Sequence, residues 1–172
     1  PCLLDNNPQA YGFDIRPEVI ASLAERHPNL QAVKESSGDV RRITAARARC
    51  GDRLALFAGL DDMVVEAVAM GADGWIAGLV NALPLESVRL FELARNGHKE
   101  EAFRLYRWFL PLLRMDTVPE FVQLIKLVQH EVGHGSETVR RPRQPIAGEA
   151  RERALTVIRD CLAHRPDERT PA

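Results

Sequence analysis

The sequence lacks a strong excess of either charge, and it has no long apolar run. Its 23 Lys and Arg residues nearly balance its 24 Asp and Glu residues, so the net charge is −1. Such a balance excludes the basic footprint of a nucleic-acid-binding protein and the charged patch of a membrane-surface protein. No apolar stretch approaches the roughly 20 residues of a membrane span, and no signal peptide is visible. The length is that of a single globular domain. We therefore expect one such domain, with neither nucleic-acid nor membrane partners.

Cysteine is scarce as well. Cys2, Cys50 and Cys161 are odd in number and widely spaced, and none belongs to a CxxC pair. This spacing argues against a disulfide framework and against a cysteine-based metal knuckle. Reduced cysteines are typical of cytoplasmic proteins, so the sequence predicts a cytoplasmic location.

Lysine is rare although positive charge is not. The chain has three lysines, Lys34, Lys99 and Lys126, and otherwise uses Arg, which stays protonated and cannot form a Schiff base. Lys34 stands out because it ends an apolar run that begins at Leu30. Partial desolvation disfavours an ammonium group and so makes a free amine available as a nucleophile. The alternative is a strand-end lysine whose stem packs while its head reaches water.

Short apolar runs alternate with amphipathic segments, which is typical of parallel βα units. Strands are predicted near Cys2–Leu4, Leu30–Lys34, Leu54–Ala58 and Gly74–Ala77. After Gly97 the pattern changes to three helices without strands, at Lys99–Leu113, Glu120–Val132 and Ala147–Ala163. We therefore predict a βα region over residues 1–97, a helical region over 98–164 and a tail over 165–172. The arginines of the helix after Lys34 are expected on its solvent side or just past its end: Arg41, Arg42, Arg47, Arg49 and Arg53.

Polar residues follow each predicted strand, and these loops are the candidate site. In parallel βα proteins the reactive groups lie at the carboxyl ends of the strands. The loops are Asp5–Gly12, Lys34–Gly38, Gly59–Asp62 and Gly78–Asn81. One amine surrounded by carboxylates and amides suits a carbonyl substrate. For Asp61 and Asp62 the alternative is simple helix N-capping.

A competing signal lies further along the chain. The segment from His130 to His134 matches H-E-x-x-H, in which two His one helical turn apart bind zinc and the Glu activates water. Gly133 lies inside the motif and Gly135 follows it, so the predicted helix ends across it. A zinc hydrolase is therefore the remote alternative, and a helix end that carries His is the plain interpretation.

Several segments together resemble one known family. Asp5–Pro8 is similar to its YNxP loop, Val33–Asp39 to its K-E-x-S/T-G-D strand end, and Gly59–Asp62 to the G-x-D-E of its lyases. The chain thus resembles the C-terminal half of the dihydrodipicolinate synthase / N-acetylneuraminate lyase family of Schiff-base aldolases. The resemblance implies a (β/α)8 TIM-barrel family, of which this chain supplies a C-terminal half-barrel of about four parallel strands with helices, plus a C-terminal helical region.

The resemblance also implies the site residues. Lys34 would form a Schiff base with the C2 atom of a 2-oxo acid or a cyclic imine, with no metal and no other cofactor. Asp5 stands where the family has its proton-relay Tyr, and Tyr11 is a second source of a phenol. A carboxylate normally only accepts hydrogen bonds, whereas a phenol donates and accepts. The expected substrate-binding residues are Ser36, Gly59, Asp61, Gly78 and Asn81.

A narrower resemblance concerns the substrate. Gly74–Ala82, Leu105–Phe109 and Val139–Arg143 resemble the subgroup with Δ1-pyrroline-4-hydroxy-2-carboxylate deaminase, an enzyme of hydroxyproline catabolism that yields 2,5-dioxopentanoate and ammonia. The alternatives are a dihydrodipicolinate synthase-like activity, a 2-keto-3-deoxy sugar acid dehydratase or aldolase, and a catalytically dead assembly subunit. Family members are commonly dimers or tetramers, so a homo-oligomer is expected.

A full barrel needs about 250 residues, and the family's T-T/S-T-G-E loop has no counterpart here. An open half-barrel exposes sheet edges. We therefore expect a truncated product, a fragment or a chain that pairs with a second half, and we expect the isolated chain to be inactive.

Overall fold

Four parallel strands form one sheet in this computed structural model, which describes residues 1–166. The order is β1-β2-β3-β4, and every neighbouring pair is parallel. The strands are β1 (Cys2–Asn6), β2 (Leu30–Glu35), β3 (Ala55–Ala58) and β4 (Gly74–Trp75). The predicted α/β class and the four parallel strands are therefore confirmed.

Eight α-helices are found in the described part of the chain. Four accompany the sheet: α1 (Pro8–Tyr11), α2 (Pro17–Arg26), α3 (Arg41–Cys50) and α4 (Val64–Ala69). Four follow it: α5 (Pro84–Arg95), α6 (Lys99–Leu113), α7 (Phe121–Glu131) and α8 (Gly148–Ala163). Short 3-10 turns cover Gly51–Arg53, Asp61–Met63, Leu79–Asn81 and Arg114–Thr117.

The chain divides into two compact units, Pro1–Ala77 with the sheet and a second unit that begins at Gly78. The division between βα and helical regions that we predict after residue 97 lies inside the second unit and stays a prediction. Of the predicted tail, residues 167–172 lie outside the described residues.

The core of the first unit lies between the sheet and helices α2 and α3. Pro17 begins α2 at its first turn, where its missing N–H costs nothing, and Ile20 is buried one turn later. Ile43 is the corresponding buried residue of α3. Both belong to the same apolar cluster as Val33 of β2 and Leu56 of β3. This cluster settles which face of the sheet the helices cover.

Two arginines of α3 are less exposed to solvent than the sequence predicts. The side chains of Arg42 and Arg47 are only 20% and 27% exposed. Each guanidinium pairs with a carboxylate that is distant in sequence, Asp14 and Asp73 respectively. The expectation of solvent-side arginines is therefore wrong for these two, because periodicity identifies a helix face but not the loops that pack over it.

Helices α5 to α8 build the core of the second unit. Its most buried large side chains include Leu90, Phe109 and Leu127. The Trp108 ring stacks on Phe109, and its indole N–H donates to the carbonyl oxygen of Cys161 at 2.7 Å. No helix within residues 1–166 is both long and apolar enough to cross a membrane.

Candidate active site

Lys34 lies near the carboxyl end of β2, on the face of the sheet opposite the helices. Side chains alternate along a strand, and the preceding Val33 is buried in the helix-side core. The strand register pairs Lys34 with Asp5 of β1 and with Phe57 of β3. The lysine side chain is 18% exposed, so its amine is partly withdrawn from water yet reachable. Strand pairing alone therefore brings an amine and a carboxylate together on this face.

The carboxylate of Asp5 lies between the lysine and a phenol. Its Oδ2 atom is 3.7 Å from Lys34 Nζ and accepts a hydrogen bond from the Tyr11 hydroxyl at 3.1 Å. Tyr11 reaches Asp5 because residues Pro8–Tyr11 form a helical turn. Asn7 caps that turn by accepting from the N–H of Ala10 at 3.0 Å. The three groups thus form a row, phenol to carboxylate to amine.

The phenol in this row keeps its proton more firmly than an ordinary tyrosine. The hydrogen bond to Asp5, and then the negative charge of that carboxylate, raise the pKa of Tyr11 above its usual 10.0. The tyrosine is exposed, so water weakens the charge effect. Tyr11 therefore acts as a hydrogen-bond donor to Asp5 over the physiological pH range.

The residues on either side of the reactive pair hold the ends of β1 and β2 together. Asn6 is fully buried, and its amide N–H group donates to Glu35 Oε1 and Oε2 at 3.2 and 3.0 Å. The side-chain oxygen Oδ1 of Asn6 accepts from the N–H of Ile15 at 2.9 Å. Glu35 Oε1 also accepts from the N–H of Ser37 at 2.7 Å. These bonds restrain both strand ends, and they therefore restrain the spacing of Asp5 and Lys34.

The loop after Tyr11 is fastened to α3 by one bidentate ion pair. Arg42 donates to both oxygens of Asp14 at 2.6 and 2.7 Å. Hydrogen bonding from this guanidinium holds the pKa of Asp14 below its ordinary value. Arg42 thus fixes the loop through geometry that a lysine would not reproduce.

Ser36 and Gly59 approach each other closely just after the neighbouring strands β2 and β3 end. A Cβ atom at Gly59 would lie 1.9 Å from Ser36 Oγ, 2.9 Å from the Glu35 carbonyl oxygen and 3.0 Å from Lys34 Cγ. Only glycine fits there, because real Cβ atoms do not approach heavy atoms so closely. The glycine lets β3 pack directly beside the lysine stem.

Two polar atoms at this end of the sheet are buried without a hydrogen-bond partner among the described residues. They are Asp5 Oδ1 and Ser36 Oγ. Buried polar groups are normally paired, and exceptions cluster at sites that bind or react. Asp5 pairs with Lys34 across strands β1 and β2, and Ser36 lies two residues after Lys34, which supports a ligand site at this end.

Asp61 lies in the interior of the protein, which the sequence does not predict. It is fully buried, and its Oδ1 atom accepts a hydrogen bond from the indole N–H of Trp75 at 3.2 Å. The N-cap position of the short 3-10 turn Asp61–Met63 is held by Leu60, and Asp61 is the first residue of that turn. Its assignment as a substrate-binding residue stays a prediction.

Gly78 and Asn81 belong to the second unit. There, Asn81 donates from its side-chain amide to the Gly78 carbonyl oxygen at 2.8 Å. A Cβ atom at Gly78 would lie 2.3 Å from Asp116 Oδ1 and 2.7 Å from Ile125 Cδ1, which explains the glycine by packing. Their predicted contact with substrate stays a prediction.

The H-E-x-x-H segment does not form a two-histidine face. Helix α7 ends at Glu131, so His130 and His134 are not on one helix. The Glu131 carboxylate accepts from Arg159 at 2.9 Å, and His134 Nδ1 lies 3.2 Å from the Ala82 carbonyl oxygen. Within residues 1–166 no group of three or more His, Cys, Asp or Glu side chains could hold a metal ion. The zinc alternative therefore lacks the geometry that it requires.

Sequence reasoning missed the helical turn at Pro8–Tyr11, which it treats as loop. The signals were present: Asn at the N-cap, Pro at the first position, and Gly12 in the left-handed region with φ 67° after the last. Without that turn, the sequence offered no geometry for Tyr11.

Known proteins match this chain over part of their own length. The 4-hydroxy-tetrahydrodipicolinate synthase of Geotalea daltonii is 30% identical over 164 residues, which cover 93% of this chain and 55% of the relative. The structure of dihydrodipicolinate synthase from Aquifex aeolicus is 22% identical with a TM-score of 0.85, over 93% of this chain and 55% of the other. A monomeric dihydrodipicolinate synthase variant, 22% identical, has a TM-score of 0.80 over 94% of this chain and 53% of the other.

The two structural likenesses establish the fold alone. The chain spans about half the length of the curated relatives that it matches. This half-length match, together with the four parallel strands and their helices, confirms the predicted half of a TIM barrel followed by helices.

The model of the Dihydrodipicolinate synthetase family matches residues 1–160. Enzymes of that family use a covalent lysine Schiff base with substrate and need no external cofactor. The match covers nearly the whole chain, including the strand that carries Lys34. The chain therefore belongs to the Dihydrodipicolinate synthetase family.

Proposed function

We propose that this chain carries the Schiff-base lysine of a lyase that acts on a 2-oxo acid or a cyclic imine, with Lys34 as the nucleophile. The observation that carries the proposal is the position of Lys34 Nζ. It is partly buried at the carboxyl end of β2, and it lies 3.7 Å from a carboxylate on the neighbouring strand. A lysine in that position can exchange a proton with the carboxylate and attack a carbonyl or imine carbon.

The favoured reaction is the deamination of Δ1-pyrroline-4-hydroxy-2-carboxylate to 2,5-dioxopentanoate. The Lys34 amine adds to C2, the C2–N bond of the ring breaks, and the ring nitrogen becomes a primary amine on C5. A proton then leaves C3, and its electron pair moves into the iminium to form an enamine. The C4 hydroxyl leaves as water once it is protonated.

Hydrolysis completes the reaction. The C3–C4 double bond left by the loss of water moves, by loss of a proton from C5 and protonation of C3 and C4, to the C5–N bond. One water then releases Lys34 and leaves the 2-oxo group, and a second water hydrolyses the C5 imine to the aldehyde and ammonia. One water is lost and two are consumed, so the balance is substrate plus one water to 2,5-dioxopentanoate plus ammonia. Asp5 Oδ2 is the nearest carboxylate oxygen to Lys34, and it is the group that we assign to accept and return protons.

The substrate assignment is supported by the segments Gly74–Ala82, Leu105–Phe109 and Val139–Arg143, which resemble the deaminase subgroup. A second candidate is synthesis of 4-hydroxy-tetrahydrodipicolinate, which is favoured by the names of the relatives. For either activity we propose assembly into a homo-oligomer, as is usual in the family.

Reductive trapping tests the nucleophile. The natural gene product that carries this sequence is incubated with pyruvate, or with the pyrroline substrate, and then with borohydride. Mass spectrometry is expected to find a covalent adduct on Lys34. Lys34→Arg should abolish the adduct because a guanidinium does not form the imine. Lys99→Arg is the matched control, since Lys99 begins α6 in the second unit, and it should leave the adduct unchanged.

The outcomes separate the candidates. Ammonia released from the pyrroline substrate supports the deaminase, whereas formation of 4-hydroxy-tetrahydrodipicolinate supports the synthase. Absence of any Lys34 adduct would contradict both and would favour an assembly subunit. The 172-residue chain on its own serves as a parallel sample, for which we propose that no turnover is detected.

A further inference from the structure

The two oxygens of Asp5 have different surroundings. Oδ2 faces the Lys34 amine at 3.7 Å and accepts from the Tyr11 hydroxyl at 3.1 Å. Oδ1 is buried and has no hydrogen-bond partner among residues 1–166. One oxygen is therefore hydrogen-bonded within the protein, and the other is a buried acceptor that no described residue uses.

The ion pair sets a condition on the chemistry of Lys34. Lys34 Nζ forms an ion pair with Asp5 Oδ2 at 3.7 Å, and the ammonium of such a pair has no lone pair with which to attack. The lysine must therefore give up a proton as the substrate binds. A ketone oxygen is a very weak base and cannot take that proton, whereas the nitrogen of an imine is basic enough to accept it.

We propose that Asp5 makes the Lys34 site selective for substrates with a basic nitrogen on C2, that is for cyclic imines over 2-oxo acids. The inference rests on the proposed function, in which Lys34 is the nucleophile. The Lys34 ammonium gives one proton through Asp5 to the imine nitrogen, which leaves a neutral amine and a cationic iminium. The amine adds to C2, a proton then passes from the lysine nitrogen to the ring nitrogen, and the C2–N bond breaks. The products are a lysine iminium and a neutral amine on the opened ring, so one positive charge is kept throughout.

The unpartnered oxygen fits the same substrate class. A protonated ring nitrogen presents an N–H and a positive charge, and Oδ1 can accept that hydrogen bond without giving up a hydrogen bond to any described residue. Hydrogen bonds between ionised partners are stronger than neutral ones, and more so where water is partly excluded. A 2-oxo acid brings only acceptors to this oxygen, so its ketone gains nothing from Oδ1.

Competition between two probes tests the selectivity. The gene product is given Δ1-pyrroline-2-carboxylate and pyruvate together, then cyanoborohydride, and the two Lys34 adducts are separated by mass. The variants are Asp5→Asn, which removes the charge, and Asp5→Tyr, which installs the residue of the family loop. Asp52→Asn is the matched control, because Asp52 loses the same charge just before β3, at the amino end of the sheet.

The imine-to-ketone adduct ratio is expected to fall at least tenfold in both Asp5 variants and to stay unchanged in Asp52→Asn. Because both probes react in one sample, the ratio does not depend on the fraction of folded protein. A ratio that changes less than twofold in both variants overturns the inference while the Lys34 adduct still supports the proposed function. Loss of both adducts in both variants also overturns it, since Asp5 would then be required for any reaction.

Discussion

The two ends of the four-stranded sheet are built in opposite ways. At the carboxyl end, Asp5 Oδ1 and Ser36 Oγ are buried without a partner among the described residues. At the amino end, arginine side chains donate hydrogen bonds to backbone carbonyl oxygens. Arg47 donates to the carbonyl oxygens of Gly51, Leu54 and Gly71 and to Asp73 Oδ2 at 2.6 Å. One end thus satisfies its polar groups within the protein, and the other keeps some available for a ligand.

The comparison shows that the two ends of the sheet contribute differently to stability and to ligand binding. Satisfied hydrogen bonds add stability, while unsatisfied buried groups lower it. The amino end therefore contributes to folding, and the carboxyl end gives up some stability for reactivity. Removing an unpartnered polar group at the carboxyl end should raise the free energy of unfolding, whereas removing a hydrogen-bonded one at the amino end should lower it.

The largest expected effect comes from filling the close contact at the carboxyl end. Gly59→Ala places a Cβ atom 1.9 Å from Ser36 Oγ, and it should lower the free energy of unfolding by about 3 kcal/mol. Urea denaturation followed by circular dichroism measures this. The double variant Gly59→Ala, Ser36→Ala should recover part of the loss. Additive effects of the two changes would show that the hydroxyl is not the obstacle.

The next effect concerns the amino end. Arg47→Met should lower the free energy of unfolding by about 2 kcal/mol, because several carbonyl oxygens and Asp73 lose their donor. Arg49→Met is the matched control on the same helix. Arg49 makes one exposed pair with Glu18, which should be worth less than about 1 kcal/mol. Equal losses in the two variants would remove the distinction between the ends of the sheet.

A smaller effect of opposite sign is expected for Ser36→Ala. The hydroxyl is buried and unpartnered within the described chain, so its removal should raise the free energy of unfolding by about 0.5 to 1 kcal/mol. The same denaturation experiment measures it. A decrease of similar size would mean that the hydroxyl supports the fold and is not held open for a ligand.

The smallest effect is a change in the titration of one phenol. Asp5 raises the pKa of Tyr11, so Asp5→Asn should lower that pKa toward its ordinary value. The phenol then ionises at lower pH than in the unmodified chain. Absorbance near the phenolate band follows it, with Tyr106, the other tyrosine, as a buried internal reference. An unchanged titration would mean that the contact between Tyr11 and Asp5 does not persist in solution.

Much of the architecture was predictable because it follows from periodic patterns. The alternation of apolar runs and helices predicts all four strands, and the position of Lys34 at a strand end follows from its neighbours. Contacts between residues distant in sequence were not predictable in this way. The pairing of Arg47 with Asp73, and of Arg42 with Asp14, depends on how loops close over α3, which no local pattern records.

Within the candidate site, too, some features were predictable from the sequence and others were not. Strand order places Asp5 beside Lys34, and this follows from the family loop and the parallel register. The role of Tyr11 depends on a single helical turn, whose capping signals are present but short. The burial of Asp61 against Trp75 could not be foreseen, because an Asp at a helix start is ordinarily a solvated cap.

Arg53 shows what the amino end of the sheet implies for motion. Its guanidinium donates to the carbonyl oxygens of Leu30 at 2.7 Å, Pro28 at 3.1 Å, His27 at 3.3 Å and Ala24 at 3.4 Å. One side chain thus joins the last turn of α2, the start of β2 and the short 3-10 turn that leads to β3. These pieces cannot separate one at a time without breaking the same set of bonds. Their backbone amides should therefore exchange with deuterium in a single cooperative opening.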